Sequence, residues 1–454
     1  MQQQTREVTG PSPSPSPVIL GTCLLFAVTM CSSAGVAFDI LTNTKGVPPF
    51  LAAFWRLFIQ NVVQFFPFIW SLKQEWRRDE EKKILLYHQE ALDLKVEVDS
   101  EEKRVLLVNE LKDEDLQENQ LLELHVLLLP RYLRSLPLCC ISGVFLGIHF
   151  SMWVYSLNFT SLTHSLLWVS MGPIVINGGS WFLHLLGQNQ CILSAFAIIS
   201  MAAFPFPHVK KPSVLETSGA LAGIGGAIIM LVGVQRNANA TMNENENQII
   251  SQPNHPPTLY GDAAAFSGAV AVCVYLIIGQ KLRCFLPIWL YVFPVIASAT
   301  LACLIFALLD ANDPATWSGG VSANSVFGFV SKEYFFYALY LGVGPGICGH
   351  TMLNMLLKYV SPLIVTTAML CEPIFGSVIG YFFGLQPLPG IYTWIGGSIL
   401  MIGLVLVVVG ENEAELDSSG SVVTVKSNSS NPADKRLYGS MLQESTSTPD
   451  YISE

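Results

Sequence analysis

The chain has 454 residues, of which 51% are hydrophobic and only 13% charged, with a formal net charge of −10. That balance excludes a soluble enzyme of this length and gives no basic surface for nucleic acid. The ten cysteines lie scattered, mostly inside apolar segments, without metal or disulfide spacing, and read as small core residues.

Residues 1–17 end in a Ser-Pro run from Pro11 to Pro17 and carry no basic region, so they predict a disordered tail and no cleavable signal. Apolar segments then recur near 18–41, 49–72, 135–157, 161–185, 214–234, 260–281, 285–309, 334–357, 362–384 and 390–410. Crossing the hydrocarbon takes about 20 predominantly apolar residues. The expected fold is therefore all-α, a polytopic membrane protein of ten transmembrane helices. The stretch Cys191 to Phe204 is only 14 residues long and is stopped by Pro205 and Pro207, so it reads as an interfacial or re-entrant piece of an insert over 188–210.

The acidity belongs to two appendages. A loop from Lys73 to Arg134 holds 11 basic and 16 acidic residues, and the segment after Gly410 holds 3 and 8, so each contributes −5. The loop mixes charge with apolar residues, as in Leu92 to Val98, and predicts a small amphipathic element or hairpin. The Ser/Thr-rich tail, 411–454, reads as disordered. Lys and Arg collect on the cytoplasmic side of membrane proteins. With both termini cytoplasmic, that side receives 20 of the 24 basic residues, and the other side receives Lys45, Arg236 and Lys332. Asn239-Ala-Thr then lies in a lumenal or extracellular loop, 235–259, as a glycosylation candidate. Composition does not decide between the plasma membrane and an endomembrane.

The spans repeat. Gly21 and Phe26 match Gly261 and Phe266 at an offset of 240. Met152, Ser161, Pro173 and Ile174 match Met352, Ser361, Pro373 and Ile374 at 200, and Gly219, Gly226 and Gly233 match Gly396, Gly403 and Gly410 at 177. The offsets fall in order, first by the length of the charged loop and then by about 23 residues near the insert. Two modules follow, 18–234 and 260–410. Five spans being an odd number, the second module must enter the membrane from the opposite side, as inverted repeats of alternating-access transporters do.

Polar residues inside spans mark a cavity or a partner. Arg56, Gln60 and Gln64 form an i, i+4, i+8 stripe, which suits an anionic or carbonyl-bearing solute if Arg56 is not paired structurally with Asp39 or Asp262. His350, Asn354 and Lys358 form a second stripe, with Lys358 read as snorkelling. His149, Trp153 and Ser156 share a face of the third span, and Ser170 and Asn177 a face of the fourth. The candidate substrate cavity is thus Arg56, Gln60, Gln64, His149, Trp153, Asn177, His350 and Asn354. Glu372 serves either proton coupling or a structural hydrogen bond at the turn that Pro373 loosens. Gly219, Gly223, Gly226, Gly396 and Gly403 predict close helix packing in the fifth and tenth spans. The stretch from Gly342 to Gly349 allows either gating flex or close packing. No Walker, Rossmann, zincin or nucleophile-elbow motif is present, so no cofactor, metal or catalytic residue is expected.

The run Pro48-Pro49-Phe50-Leu51-Ala52-Ala53-Phe54-Trp55-Arg56, the pair Gly261-Asp262, and Lys358-Tyr359-Val360-Ser361-Pro362 leading into Cys371-Glu372-Pro373-Ile374-Phe375 resemble the drug/metabolite transporter superfamily, in its EamA-type ten-helix branch. One departure is Gly187-Gln188 and Leu385-Gln386, where the family commonly has Gly-Glu. The resemblance implies a central cavity lined by the first four helices of each half, with the fifth and tenth outside or between protomers, which leaves a homodimer open. It further implies a secondary transporter of small polar organic solutes in the lipid bilayer. Two solute classes compete, nucleotide sugars or sugar phosphates against amino acids, amines or drug-like molecules. A regulatory membrane protein that keeps the fold is the alternative to transport.

Overall fold

In the computed structural model the described residues are 15–97, 128–160, 162–187, 213–244, 258–312, 314–317, 320–384 and 391–427. They form helices, short turns and one isolated bridge between Thr316 and Ser325. The helices are α1 (Pro17–Asp39), α2 (Pro49–Glu97), α3 (Leu128–Ser156), α4 (Leu162–Val169), α5 (Gly172–Gly187), α6 (Val214–Glu244), α7 (Leu259–Arg283) and α8 (Ile288–Leu309). They continue with α9 (Phe335–Leu341), α10 (Met352–Leu356), α11 (Pro362–Met369), α12 (Glu372–Phe382) and α13 (Ile391–Ser427). Two stretches are π-helical, Ile40–Thr44 after α1 and Gly342–Thr351 between α9 and α10.

Each expected span coincides with one helix or with a consecutive set. Five are long and apolar enough to cross a bilayer by that measure alone, namely Pro17–Thr44, Leu128–Ser156, Leu259–Arg283, Ile288–Leu309 and Pro362–Phe382. Large apolar side chains such as Phe66, Leu221, Leu301 and Ile402 lie exposed on the outside of the bundle, where lipid would cover them.

The helix ends follow from local chemistry. Ser16 caps α1 ahead of Pro17, and Ser361 caps α11 ahead of Pro362, its hydroxyl accepting from Ile364 N at 3.2 Å. Ser213 and Glu216 close a reciprocal capping box on α6, at 2.9 and 3.0 Å. The fourth and ninth spans are each broken in two. Proline clashes with the carbonyl four residues earlier. Pro173 and Pro373 therefore end α4 at Val169 and α11 at Met369, and the chain restarts as α5 at Gly172 and α12 at Glu372. The breaks fall at the same offset of 200 that relates the two sequence halves.

Packing obeys the same twofold relation. The third span, α3, packs on α7, and its counterpart in the second half, the α9–α10 segment, packs on α1. The second and seventh spans, α2 and α8, pack on each other, as do the fifth and tenth, α6 and α13. In that last pair a Cβ on Gly219 would stand 2.6 Å from the carbonyl oxygen of Gly403, and one on Gly403 equally close to that of Gly219. Gly226 faces Gly396 in the same way. The glycine faces thus meet each other within one chain.

Three boundaries differ from the sequence expectation. Helix α2 overshoots residue 72 and runs to Glu97. Its Asp79 carboxylate accepts from the backbone N–H groups of Leu128 and Leu129, at 3.2 and 2.7 Å, and so caps α3 from across the loop. Helix α6 continues to Glu244, placing Asn239 on a helical extension and not in a loop. Helix α13 continues to Ser427, so the first part of the tail expected to be disordered is helical. Each extension propagates a helix already nucleated and needs no new nucleus. The insert at 188–210, the loop at 98–127 and residues 428–454 lie outside the described residues.

Candidate functional site

The centre of the molecule lies where the two halves meet. His350 is the counterpart of Phe150 at the offset of 200, and their rings touch edge to face, with centroids 5.0 Å apart. Arg56 lies on the same ring, its guanidinium carbon 4.0 Å from the Phe150 centroid and 5.7 Å from that of Phe38. The Arg56 residue is 0% exposed, and its Nε, Nη1 and Nη2 all lack a hydrogen-bond partner. Cation–π contact returns up to about 2 kcal/mol, whereas desolvating a guanidinium costs several. The five N–H donors of Arg56 therefore stand unspent at a buried site.

The structural alternative for Arg56 is not realised. Asp39 accepts from Asn43 at 2.7 Å and Asp262 from Thr160 at 2.9 Å, while no guanidinium nitrogen is bonded. Glu372, at the start of α12, is 4% exposed and acts on Arg56 through its charge without a hydrogen bond to it.

Around Arg56 stand His149, Trp153, His350 and Asn354, all buried. The His149 ring meets the Gly268 carbonyl through Nδ1 at 3.0 Å, which makes Nδ1 the donor. Trp153 lies edge to face with Phe38 at 5.6 Å, its Nε1 unpartnered. Asn354 donates to the Tyr275 hydroxyl and to the His350 carbonyl, and its Oδ1 is unpartnered.

Other candidates are placed differently. Gln60 donates to the Gly346 carbonyl at 3.0 Å and to Thr351 at 3.3 Å, and Gln64 to Thr351 at 2.6 Å. These amides satisfy the π-helical stretch Gly342–Thr351, whose widened turns leave carbonyls free. Only their Oε1 atoms remain unpartnered. The glycines of that stretch give close approach: Gly342 abuts Ile59, Gly346 abuts Gln60, and Gly349 abuts Cys31. Asn177 accepts from Thr217 at 3.4 Å, at the junction of α5 with α6, and its Nδ2 is unpartnered. Lys358 reaches over Tyr359 at 5.6 Å, as a snorkelling side chain does.

Sequence reading did not single out Phe38, Phe150 or Tyr275. The repeat carried a signal for Phe150, because it is the counterpart of a residue that was singled out, His350. Among the described residues no cluster of three His, Cys, Asp or Glu side chains could hold a metal.

The two ends of the bundle differ. Where α7 finishes, Arg283 binds the Asn354 carbonyl at 3.1 Å and the Leu286 carbonyl, and Phe68 stacks on Phe293 at 4.3 Å. That end is closed. At the other end, where α2 and α7 begin, a recess of about 410 Å³ is lined by Phe50, Met152, Tyr155, Tyr260, Ala263 and Ala264. Beside it Trp55 donates to the Val326 carbonyl at 3.1 Å, and Lys45 pairs with Glu333 at 3.0 Å.

Comparison with known proteins gives one family. Residues 259–409 match the EamA-like transporter family. No curated protein matches the chain. A protein of known crystal structure aligns over 86% of this chain and 96% of its own at 16% identity, with a TM-score of 0.45, too loose a likeness to carry an argument. The match spans the second five-helix module, α7 to α13, and the first module reproduces its helix breaks and its packing. The second module is thus similar to EamA-like transporters, and the chain is a polytopic helical membrane protein.

Proposed function

We propose that the protein is a secondary transporter of small anionic organic solutes, worked by rocking of its two inverted halves about Arg56. The observation that carries this reading is a fully buried guanidinium without one hydrogen-bond partner, placed at the junction of the two repeats. A planar fork of donors matches carboxylate and phosphate oxygens bidentately. Phe38, Phe150 and Trp153 wall the site, and Trp153 Nε1 and Asn354 Oδ1 add an unspent donor and acceptor. This favours phosphate- or carboxylate-bearing solutes, such as sugar phosphates and nucleotide sugars, over amines and cationic drugs. Arg56 is 0% exposed, so access to it requires that the halves move. Termini on the cytoplasmic side, the membrane of residence and alternating access all belong to this proposal.

The test is a thermal-shift screen of the purified protein against anionic, neutral and cationic metabolites, followed by flux of the hits into proteoliposomes, since a ligand stabilises the state it binds. Anions should give the hits, and Arg56→Ala should lose both shift and flux while remaining folded. Normal flux in that variant removes Arg56 from the site. No flux for any solute would instead favour the regulatory protein that keeps the fold.

A further inference from the structure

Helices α3 and α7 run antiparallel and touch along their length. At the end where α3 begins, the Arg131 guanidinium lies over Phe285, its carbon 4.3 Å from the ring centroid. Midway, Gly268 abuts the His149 carbonyl, and at the far end the Tyr260 hydroxyl donates to that of Tyr155 at 3.5 Å. This register brings Arg134 level with Lys281 and Ile141 level with Val274. Each helix also turns an apolar stripe outward. On α3, Pro137, Ile141 and Val144 follow Arg134 at i+3, i+7 and i+10, and all four are exposed. On α7, the exposed Val270 and half-buried Val274 share a face with the half-buried Lys281.

In spanning helices such stripes lie against lipid, and both end on a cation at one boundary. Arg134 stands just before the third span, and Lys281 closes the sixth. Arg131, Arg134 and Lys281 form no ion pair among the described residues. On the adjoining stretch of α2, the Asp79 carboxylate caps the start of α3 and Glu75 pairs with Arg78. Three cations therefore crown an apolar seam with their charge unanswered.

We propose that this corner binds an anionic phospholipid, its phosphate seated among Arg131, Arg134 and Lys281 and its acyl chains laid along the seam of α3 and α7. A guanidinium presents two parallel donors to phosphate oxygens. Arg131 is already set in place by the Phe285 ring, which leaves the edge of its guanidinium free to bind. A zwitterionic headgroup brings no net charge to meet three cations. The site stands apart from Arg56 and does not depend on what the protein carries.

The experiment is thermal unfolding of the full chain in mixed micelles of constant total lipid, with phosphatidylglycerol replacing phosphatidylcholine stepwise. The wild-type unfolding temperature should rise and saturate with phosphatidylglycerol, and the rise should shrink in high salt. A juxtamembrane Lys or Arg strengthens anionic-lipid binding about fivefold. Arg131→Gln/Arg134→Gln/Lys281→Gln should therefore raise the half-saturating fraction about a hundredfold, which removes the rise from the accessible range. Lys73→Gln/Arg77→Gln/Lys82→Gln takes the same charge from exposed positions of α2 and should keep the rise. Equal loss in both triple variants overturns the inference, because overall charge would then be responsible. It is also overturned if wild type shows no rise, or the same rise with water-soluble glycerol phosphate. A first triple variant that unfolds early in phosphatidylcholine yet keeps the full rise overturns it too, because its cations then serve the fold. Should that variant fail to fold, Arg134→Gln alone should raise the half-saturating fraction about fivefold, and an unchanged value overturns the site.

Discussion

Replacing Gly403 by alanine tests the twofold packing of α6 on α13 at its tightest point. A Cβ there would lie 2.6 Å from the Gly219 carbonyl oxygen, 2.6 Å from the Gly223 nitrogen and 3.1 Å from the Gly223 Cα. All three are backbone atoms, so no side chain can swing aside and the two helices must separate. Gly225, on α6, has nothing within 4 Å of the same construction and supplies the reference. Alanine favours either helix over glycine by about 0.5–1 kcal/mol, and this intrinsic gain cancels between the two variants. What remains is the overpacking cost, about 1–3 kcal/mol. Thermal unfolding of both variants in the same detergent should therefore place Gly403→Ala below Gly225→Ala by about 1–3 kcal/mol. Equal stability of the two variants would refute the argument, because the fifth and tenth spans would then not meet inside one chain.

Two further outcomes follow from the helix ends and from the topology. Asp79→Ala removes the cap that holds the start of α3 against α2 and should cost about 0.5–2 kcal/mol, with faster hydrogen exchange at Leu128 and Leu129; unchanged exchange there would show that the clasp does not form in solution. Lys45→Cys, at the turn between α1 and α2, should add a label from a membrane-impermeant maleimide applied outside intact cells, over any labelling of the native thiols, and Arg78→Cys, on the extension of α2, should not; labelling of Arg78→Cys alone would reverse the orientation.

Span number, the duplication and the polar stripe carrying Arg56 were all legible in the amino-acid order. Each depends on local quantities, namely apolar run length, residue spacing and proline placement, that need no knowledge of the partner surface. The breaks at Val169 and Met369 are of this kind, because proline acts on its own helix four residues back. The glycine spacing of the fifth and tenth spans announced close contact in the same way. What covers a given polar face is not local. Gln60 and Gln64 sit on the stripe of Arg56, yet their amides answer a carbonyl and a hydroxyl of a π-helical stretch nearly 300 positions later in the chain. Asn177 shares its polarity with the cavity residues and is turned toward α6. Phe38 and Phe150 look like ordinary apolar filler until the fold sets them around a guanidinium. Periodicity says which side of a helix is polar, and only the assembled bundle says whether that side finds a partner or is left open at the centre.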